Sequence, residues 1–213
     1  MKALIVYSGG LDSSVLLHKY KDVIALALSF DYGSKHAERE LAAAAAQCAL
    51  LGIKHEVVRL PFVEQLFKSA LLKGGEAIPT ADYDTDNMKS TVVPFRNGIM
   101  LAIAAGVAES NGLDTLLIAN HAGDHAIYPD CTEQFIDAMG AAIDAGTYET
   151  LRLFAPFCNH TKRAIALEGR DLGVDYALTY SCYNGTEQHC GICATCRERK
   201  QALEGFDPTH YAQ

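Results

Sequence analysis

The sequence has no tryptophan, only 6 prolines, and fewer basic than acidic side chains: 18 lysines and arginines stand against 26 aspartates and glutamates among 213 residues. The resulting net charge of −8 is a poor basis for wrapping nucleic acid, because that affinity depends mostly on cations that meet phosphates. We therefore expect no direct nucleic-acid partner.

Long apolar runs are missing as well. The longest uninterrupted run of apolar residues and glycine covers positions 98–108, whereas a helix needs roughly 18 apolar residues to cross a bilayer. The first residues lack the cleavage pattern of a signal peptide. We expect a cytoplasmic protein with no membrane partner, in a compartment that keeps thiols reduced.

The rest of the composition is that of a globular protein, with 49% apolar and 21% charged residues. Apolar runs of strand length at 2–7, 23–30, 55–60 and 115–119 alternate with helical segments. This alternation predicts an α/β fold with a parallel sheet and helices on both faces. Ligands of such sheets collect beyond the carboxyl ends of the strands. Residues 73–93 show little periodicity, and we expect a long loop there.

A glycine-rich loop joins the first strand to the first helix, with the sequence Ser8-Gly9-Gly10-Leu11-Asp12-Ser13-Ser14. Glycines let the backbone approach a ligand, and the free amides of a helix N-terminus favour an anion. The lysine of the common P-loop is absent, and Asp12 would repel phosphate unless a Mg²⁺ ion lay between them. The alternative is a plain turn in which Asp12 or Ser13 caps the helix.

Four of the seven cysteines are clustered near the end of the chain: Cys182, Cys190, Cys193 and Cys196. A disulfide framework would be even-numbered and spread out, so this pattern favours a metal site. Four thiolates suit tetrahedral Zn²⁺ and leave no open position, which predicts a structural role. An iron–sulfur cluster, or His189 in place of one cysteine, are the alternatives.

The loop resembles the PP-loop of the ATP pyrophosphatase superfamily, S-G-G-x-D-S. The chain as a whole resembles the 7-cyano-7-deazaguanine synthase family, the nitrile-forming enzymes of queuosine biosynthesis. Besides the loop and the cysteines, the matching motifs are Asp31-Tyr32-Gly33 with His36, Val93-Pro94 with Arg96-Asn97, Tyr128-Pro129-Asp130-Cys131, Thr161-Lys162 and Ser181-Cys182-Tyr183. Phe95 departs from the family, which usually has glycine before Arg-Asn.

The resemblance implies a Rossmann-like fold of the adenine nucleotide alpha hydrolase type and an ATP-dependent carbon–nitrogen ligase. In the implied reaction, 7-carboxy-7-deazaguanine is adenylated and ammonia displaces AMP to give an amide. A second ATP then activates the amide oxygen, and loss of AMP leaves the nitrile. The expected partners are these small molecules, Mg²⁺ with ATP, and a second copy of the chain in a homodimer.

We assign candidate roles to residues on this basis. Asp12, Arg96 and Lys162 are expected to be catalytic, because cations stabilise charge that builds up on phosphate groups. The expected substrate contacts are Arg96, Asp124, Tyr128 and Asp130. The expected nucleotide contacts are Tyr7, Ser8, Gly9, Gly10, Leu11, Asp12, Ser13, Ser14, Val15, Leu16 and Leu17.

Two of these residues have plainer alternatives. A carboxylate can accept two parallel N–H bonds, so Asp130 is expected to bind the guanine-like edge of the substrate, whereas the alternative is capping of the helix at 131–145. Surface salt bridging is the alternative for Lys162. Arg197, Arg199 and Lys200 are interpreted as a solvated helix face.

The chain is expected to divide into a PP-loop domain at 1–180 and a four-cysteine zinc module at 181–213. Two other function classes stay open. One is a different PP-loop adenylating enzyme, which thiolates tRNA or makes an amide. The other is a non-catalytic zinc-knot module that binds a nucleotide.

Overall fold

A computed structural model describes residues 1–80 and 86–213, and its centre is a five-stranded, fully parallel sheet with the order β3-β2-β1-β4-β5. The strands are β1 (Ala3–Val6), β2 (Ile24–Asp31), β3 (His55–Arg59), β4 (Thr115–Leu117) and β5 (Arg152–Phe154). The predicted α/β class is confirmed. The sequence pattern missed β5, because this edge strand has only three residues and both its end residues are exposed.

Seven α-helices cover the sheet within the described residues. They are α1 (Leu11–Lys19), α2 (Ala37–Leu51), α3 (Pro61–Leu66), α4 (Arg96–Ser110), α5 (Glu133–Gly146), α6 (Lys162–Asp171) and α7 (Ala194–Ala202). Side chains of α4 and α5 form one buried cluster with the sheet, and those of α1, α2 and α6 form another. The helices therefore lie on both faces, as predicted.

The expected loop at 73–93 is partly helical. Asp86–Thr91 forms a 3₁₀ helix, and residues 73–80 contain no helix or strand. Residues 81–85 of that prediction lie outside the described part of the chain. Within the described part, Lys35 ties the start of the segment to the fold, since its ammonium donates to the carbonyls of Ala70 and Gly75 at 2.9 and 3.1 Å.

The segment after residue 180 packs directly on the helices beside the sheet through α7. Ala202 and Leu203 belong to the same buried cluster as α1 and α6. Arg199 is fully buried, and its guanidinium donates to the carbonyl of Tyr176 and the hydroxyl of Thr179 at 2.7 and 2.8 Å. The interpretation of this arginine as part of a solvated face is therefore wrong, because it joins α7 to the chain before the cysteine cluster.

One segment, Met88–Ser110, is by length and composition able to span a membrane, with a mean hydropathy of 1.5. Half of its most apolar window is buried inside the protein. Its main part, α4, packs against β1, β4 and α5. The core helix of a globular protein has the same composition, and this packing accounts for the apolar sequence of α4.

Candidate active site

A cavity of about 220 Å³ opens beyond the carboxyl ends of β1, β2 and β4. The glycine-rich loop after β1 forms one wall, and the N-terminal turns of α2 and α4 form another. This is the position expected for ligands of a parallel sheet. The predicted site residues that line it are Tyr7, Ser8, Gly10, Leu11, Asp12, Ser13, Arg96, Asp124, Tyr128 and Lys162.

The glycine-rich loop presents hydroxyls and the amino end of α1 to the cavity. Ser8 Oγ lies 3.0 Å from Ser13 Oγ, and the Gly10 amide donates to Ser8 Oγ at 3.2 Å. Gly9 has φ +80°, and an added Cβ would lie 2.4 Å from the carbonyl oxygen of Glu40 in α2. Only glycine fits there, so Gly9 brings the loop against α2 rather than lining the cavity. The first amides of α1 have no intrahelical acceptor, and residues 10–13 at this end of the helix line the cavity.

The remaining predicted nucleotide residues lie behind the loop. Ser14, Val15, Leu16 and Leu17 are completely buried and do not line the cavity. Ser14 Oγ is 3.0 Å from the hydroxyl of Tyr7, and the other three belong to the core cluster under α1. The structure does not bring these four side chains, or Gly9, to the site.

Lys162, the first residue of α6, lies between two carboxylates. Its Nζ is 3.2 Å from Asp12 Oδ2 and 2.6 Å from Glu198 Oε2. Its side chain is 13% exposed, so it is not a solvated surface group. Burial lowers the pKa of Lys162, but the charges of Asp12, Glu198 and Asp124 outweigh burial and raise it well above its ordinary value. The ammonium therefore stays charged.

His121 connects the loop to Asp124. Its Nε2 lies 3.7 Å from Asp12 Oδ2 and 3.6 Å from Asp124 Oδ2, and its Nδ1 accepts from the Gly123 amide at 3.0 Å. Nε2 is therefore the ring nitrogen that faces the two carboxylates. Asp12 Oδ1 is buried and has no hydrogen-bond partner among the described residues. An oxygen of this kind suits a hard cation such as Mg²⁺.

Arg96 supplies positive charge on the second wall. Its Nη1 donates to the hydroxyl of Tyr32 at 3.3 Å, and its guanidinium carbon lies 5.7 Å from the centre of the Tyr32 ring. No carboxylate lies within 4 Å of it in the described part of the chain. Burial lowers the pKa of Arg96, whereas Tyr32, Cys131, Asp130 and Tyr183 raise it, and the net change is upward. A charged guanidinium with unused donors at a cavity can receive an anionic group.

Glu40 lies on the same wall, one turn into α2. Its Oε2 is 3.6 Å from Nε2 of His36. Burial raises the pKa of Glu40 to about 8, although Arg96 opposes the shift. Burial and the charge of Arg96 lower the pKa of His36 to about 4. His36 in turn packs at 5.6 Å against the ring of Tyr183.

Tyr128 lines the cavity, whereas Asp130 lies behind it and contacts the start of α4. The hydroxyl of Tyr128 lies 3.3 Å from that of Tyr183. Asp130 does not line the cavity, and its Oδ2 accepts from the backbone amide of Asn97 at 2.8 Å. It thus caps the start of α4, whereas Thr132 caps α5 by accepting from Phe135. The alternative of capping the helix at 131–145 is therefore wrong, because Asp130 caps α4 instead.

The four clustered cysteines converge as their spacing predicted. The Sγ atoms of Cys182, Cys190, Cys193 and Cys196 all lie within 4.8 Å of one another, and Cys190 Sγ is 3.9 Å from Cys196 Sγ. A tetrahedral zinc with bonds of about 2.3 Å separates its sulfurs by about 3.8 Å. The arrangement fits a zinc ion with four thiolate ligands. His189 instead accepts from the Ser181 amide at 3.1 Å.

Sequence reasoning missed several residues of the site. Glu40 and Glu198 carry no motif: one lies in an alanine-rich helix, and the other lies among basic residues of α7. Asn120 also lines the cavity and donates to the Cys131 carbonyl at 2.8 Å. Tyr32 and Tyr183 belong to motifs that carried the family resemblance, and this was the one signal that could have found them.

Comparison with known proteins agrees with these observations. A family model described as queuosine biosynthesis protein QueC matches residues 2–207. The 7-cyano-7-deazaguanine synthase of Porphyromonas gingivalis (strain ATCC 33277) is 55% identical over 212 residues, which cover 98% of this chain and 96% of the relative. That of Desulfotalea psychrophila is 52% identical over 214 residues, covering 98% of both. The NMN synthetase of Francisella tularensis shares the fold, with a TM-score of 0.51 at 14% identity over 98% of this chain and 79% of that one.

Proposed function

This chain belongs to the family of queuosine biosynthesis protein QueC, and we propose that it converts 7-carboxy-7-deazaguanine and ammonia to 7-cyano-7-deazaguanine at the expense of ATP. Relatives that are 52–55% identical over nearly the full length are named 7-cyano-7-deazaguanine synthase. The observation that carries the proposal is one cavity that joins the glycine-rich loop and Lys162 to the half-buried cation Arg96.

The loop side of the cavity is proposed to bind ATP. Amides at the start of α1 and the hydroxyls of Ser8 and Ser13 supply donors for the β and γ phosphates, which leave as pyrophosphate. Lys162 supplies a fixed positive charge there, since Asp12 and Glu198 hold its ammonium at 3.2 and 2.6 Å. Asp12 is proposed to hold Mg²⁺ through Oδ1, which supplies charge stabilisation to the phosphates.

The Arg96 side is proposed to bind the acid. A guanidinium grips a carboxylate through two parallel bonds, and that of Arg96 has unused donors. Asp124 and Tyr128 line the same space and are proposed substrate contacts. Asp130 acts on this site by capping α4, whose first residue is Arg96.

The cysteine cluster is proposed to hold a structural zinc ion, because four sulfurs fill a tetrahedral shell. We also propose that the chain divides near residue 180, that it is cytoplasmic and that it forms a homodimer. We further propose that it has no nucleic-acid partner, and the net charge of −8 supports this.

The experiment is incubation of the purified protein with ATP, Mg²⁺, ammonium and the acid, followed by mass spectrometry of the base. We expect the nitrile, with the amide as an intermediate. An amide that goes no further would indicate a simple amide-forming PP-loop enzyme. ATP binding without turnover would indicate a nucleotide-binding module.

A further inference from the structure

The proposed reaction needs a base that none of the assigned residues supplies. One proton must leave nitrogen when ammonia adds to the acyl adenylate, and two more must leave when the amide becomes a nitrile. The base must lie within reach of the reacting carbon, which is the carbon of the carboxylate that Arg96 is proposed to bind. This inference rests on that proposed function.

Most titratable groups near Arg96 are unsuited to this task. Burial raises the pKa of Tyr32, and burial raises that of Tyr183 well above its ordinary value, so both hydroxyls keep their protons. His36 has a pKa of about 4 and is a weak base. Across the cavity, Asp12 lies 3.2 Å from the ammonium of Lys162, and Asp124 also interacts with that positive charge.

Glu40 differs from these groups because it is a cavity carboxylate without a lysine or arginine partner among the described residues. Glu40 lines the cavity on the Arg96 side, and its side chain is 22% exposed. No lysine or arginine lies within 4 Å of it in the described part of the chain, and its close partner is the ring of His36 at 3.6 Å. A cavity carboxylate that is not committed to an ion pair keeps a free oxygen for a proton.

We propose that Glu40 is the general base that takes protons from the nitrogen at the reacting carbon. In the first step the ammonia lone pair forms the C–N bond, the C–O bond to AMP breaks with its electrons on oxygen, and one N–H proton passes to Glu40. The carboxyl then releases that proton to solvent through its exposed side.

The second half of the reaction uses the same group twice. The amide oxygen attacks the α phosphorus of a second ATP, and pyrophosphate leaves. One N–H proton goes to Glu40, and its electron pair stays on nitrogen. When the second N–H proton follows, its electron pair allows the third C–N bond to form as the C–O bond to AMP breaks.

The proton affinity of Glu40 supports this role. Desolvation raises the pKa of the Glu40 carboxyl to about 8, although the positive charge of Arg96 opposes the shift. The other titratable groups that interact with Glu40 are the ring of His36 at 3.6 Å and the hydroxyl of Tyr32. A base is most effective when its pKa lies near the working pH. An ordinary glutamate, at about 4.3, would be a far weaker acceptor.

The test uses Glu40→Gln, which keeps the size of the side chain and removes the base. Glu38→Gln, an exposed neighbour on α2, is the matched control. Each protein is given ATP and the synthetic amide, so that the ionisation of ammonium does not affect the pH profile. Melting temperature and nucleotide affinity check that each variant is folded, and Glu40→Asp provides a second variant that keeps a carboxylate.

We expect Glu40→Gln to lower kcat for nitrile formation by roughly 10²-fold or more, with KM for the amide and ATP nearly unchanged. The wild-type rate should rise with pH up to about 8 and then level off, because only ionised Glu40 accepts a proton. Glu40→Gln should lose this rise, and Glu40→Asp should recover part of the rate.

An unchanged kcat, or an unchanged pH profile in Glu40→Gln, would overturn the assignment. A raised KM for the amide at constant kcat would overturn it in favour of a binding role for Glu40. If the wild type makes no nitrile, the proposed function fails and the assignment falls with it. If the wild type does and Glu40→Gln matches it, the assignment alone is wrong.

Discussion

The position of the Lys162 side chain depends on two residues that are distant in the sequence. Asp12 of α1 and Glu198 of α7 both contact its ammonium. We predict that Glu198→Gln lowers kcat by about tenfold, or about 1.4 kcal/mol in the activation barrier, because Lys162 then shifts toward Asp12. Steady-state kinetics would measure this, and zinc content should not change.

A matched control exists on the surface. Lys19 and Glu168 form an ion pair at 2.7 Å, with both side chains about one-third exposed. Exposed pairs contribute little, so Glu168→Gln should leave both activity and melting temperature nearly unchanged. Equal kinetics for Glu198→Gln and the wild type would show that Lys162 does not need α7.

Residue-level prediction from sequence gave the correct positions where a motif contained the residue. Asp12 and Arg96 line the cavity, and the four cysteines converge as their spacing predicted. It failed for Glu40, Glu198 and the burial of Arg199, because only the folded chain brings α2 and α7 to the cavity. Phe95 shows a third case: its φ of +53° is a conformation that favours glycine, which explains why the family usually has glycine at this position.

Among the helices, α4 depends for the stability of its first turn on Asp130. The carboxylate caps this helix through the Asn97 amide, so Asp130→Ala should cost about 0.5–2 kcal/mol of unfolding free energy. Asp130→Asn keeps a capping oxygen and should restore most of the stability. Thermal or urea unfolding would measure both effects.

Kinetics of Asp130→Asn separate the cap from a substrate contact. If Asp130 only caps α4, the Asp130→Asn variant should keep KM for the acid near the wild-type value. A tenfold or larger rise of KM at an unchanged melting temperature, equal to about 1.4 kcal/mol of binding, would mean that Asp130 does contact the ring. Asp175→Ala, which removes a similar cap from the Ala177 amide, controls for general capping loss.

Strands were predictable from the sequence where burial made them continuously apolar. β1 and β2 were predicted because they are buried along almost their whole length. α3 was not predicted, because it has only six residues, and its Pro61 occupies the first turn of the helix, where proline is tolerated. Short elements such as β5 have too few residues to show a pattern.

The four-cysteine cluster acts at the scale of the whole molecule, since Cys196 lies in α7 together with Glu198 and Arg199. We predict about one zinc per chain, because a closed site of four thiolates holds one ion. Cys193→Ser should lower the zinc content and the melting temperature together, because binding of the metal contributes to folding. Elemental analysis and calorimetry would measure both.

Cys48→Ser is the matched control for that variant. Cys48 is equally buried, but it belongs to the core under α1 and α2. Its replacement should lower stability without loss of metal. Iron in place of zinc, or a Cys193→Ser protein with full stability and no metal, would contradict a structural zinc site.

In the proposed reaction, the two carboxylate oxygens of the acid leave on AMP, one in each half of the reaction. The most direct measurement uses 7-carboxy-7-deazaguanine with ¹⁸O in both carboxylate positions and follows the label by mass spectrometry. We predict that each nitrile formed is accompanied by two AMP molecules, each with one ¹⁸O atom, and by unlabelled pyrophosphate. Label in orthophosphate together with ADP, or label lost to water, would contradict the account.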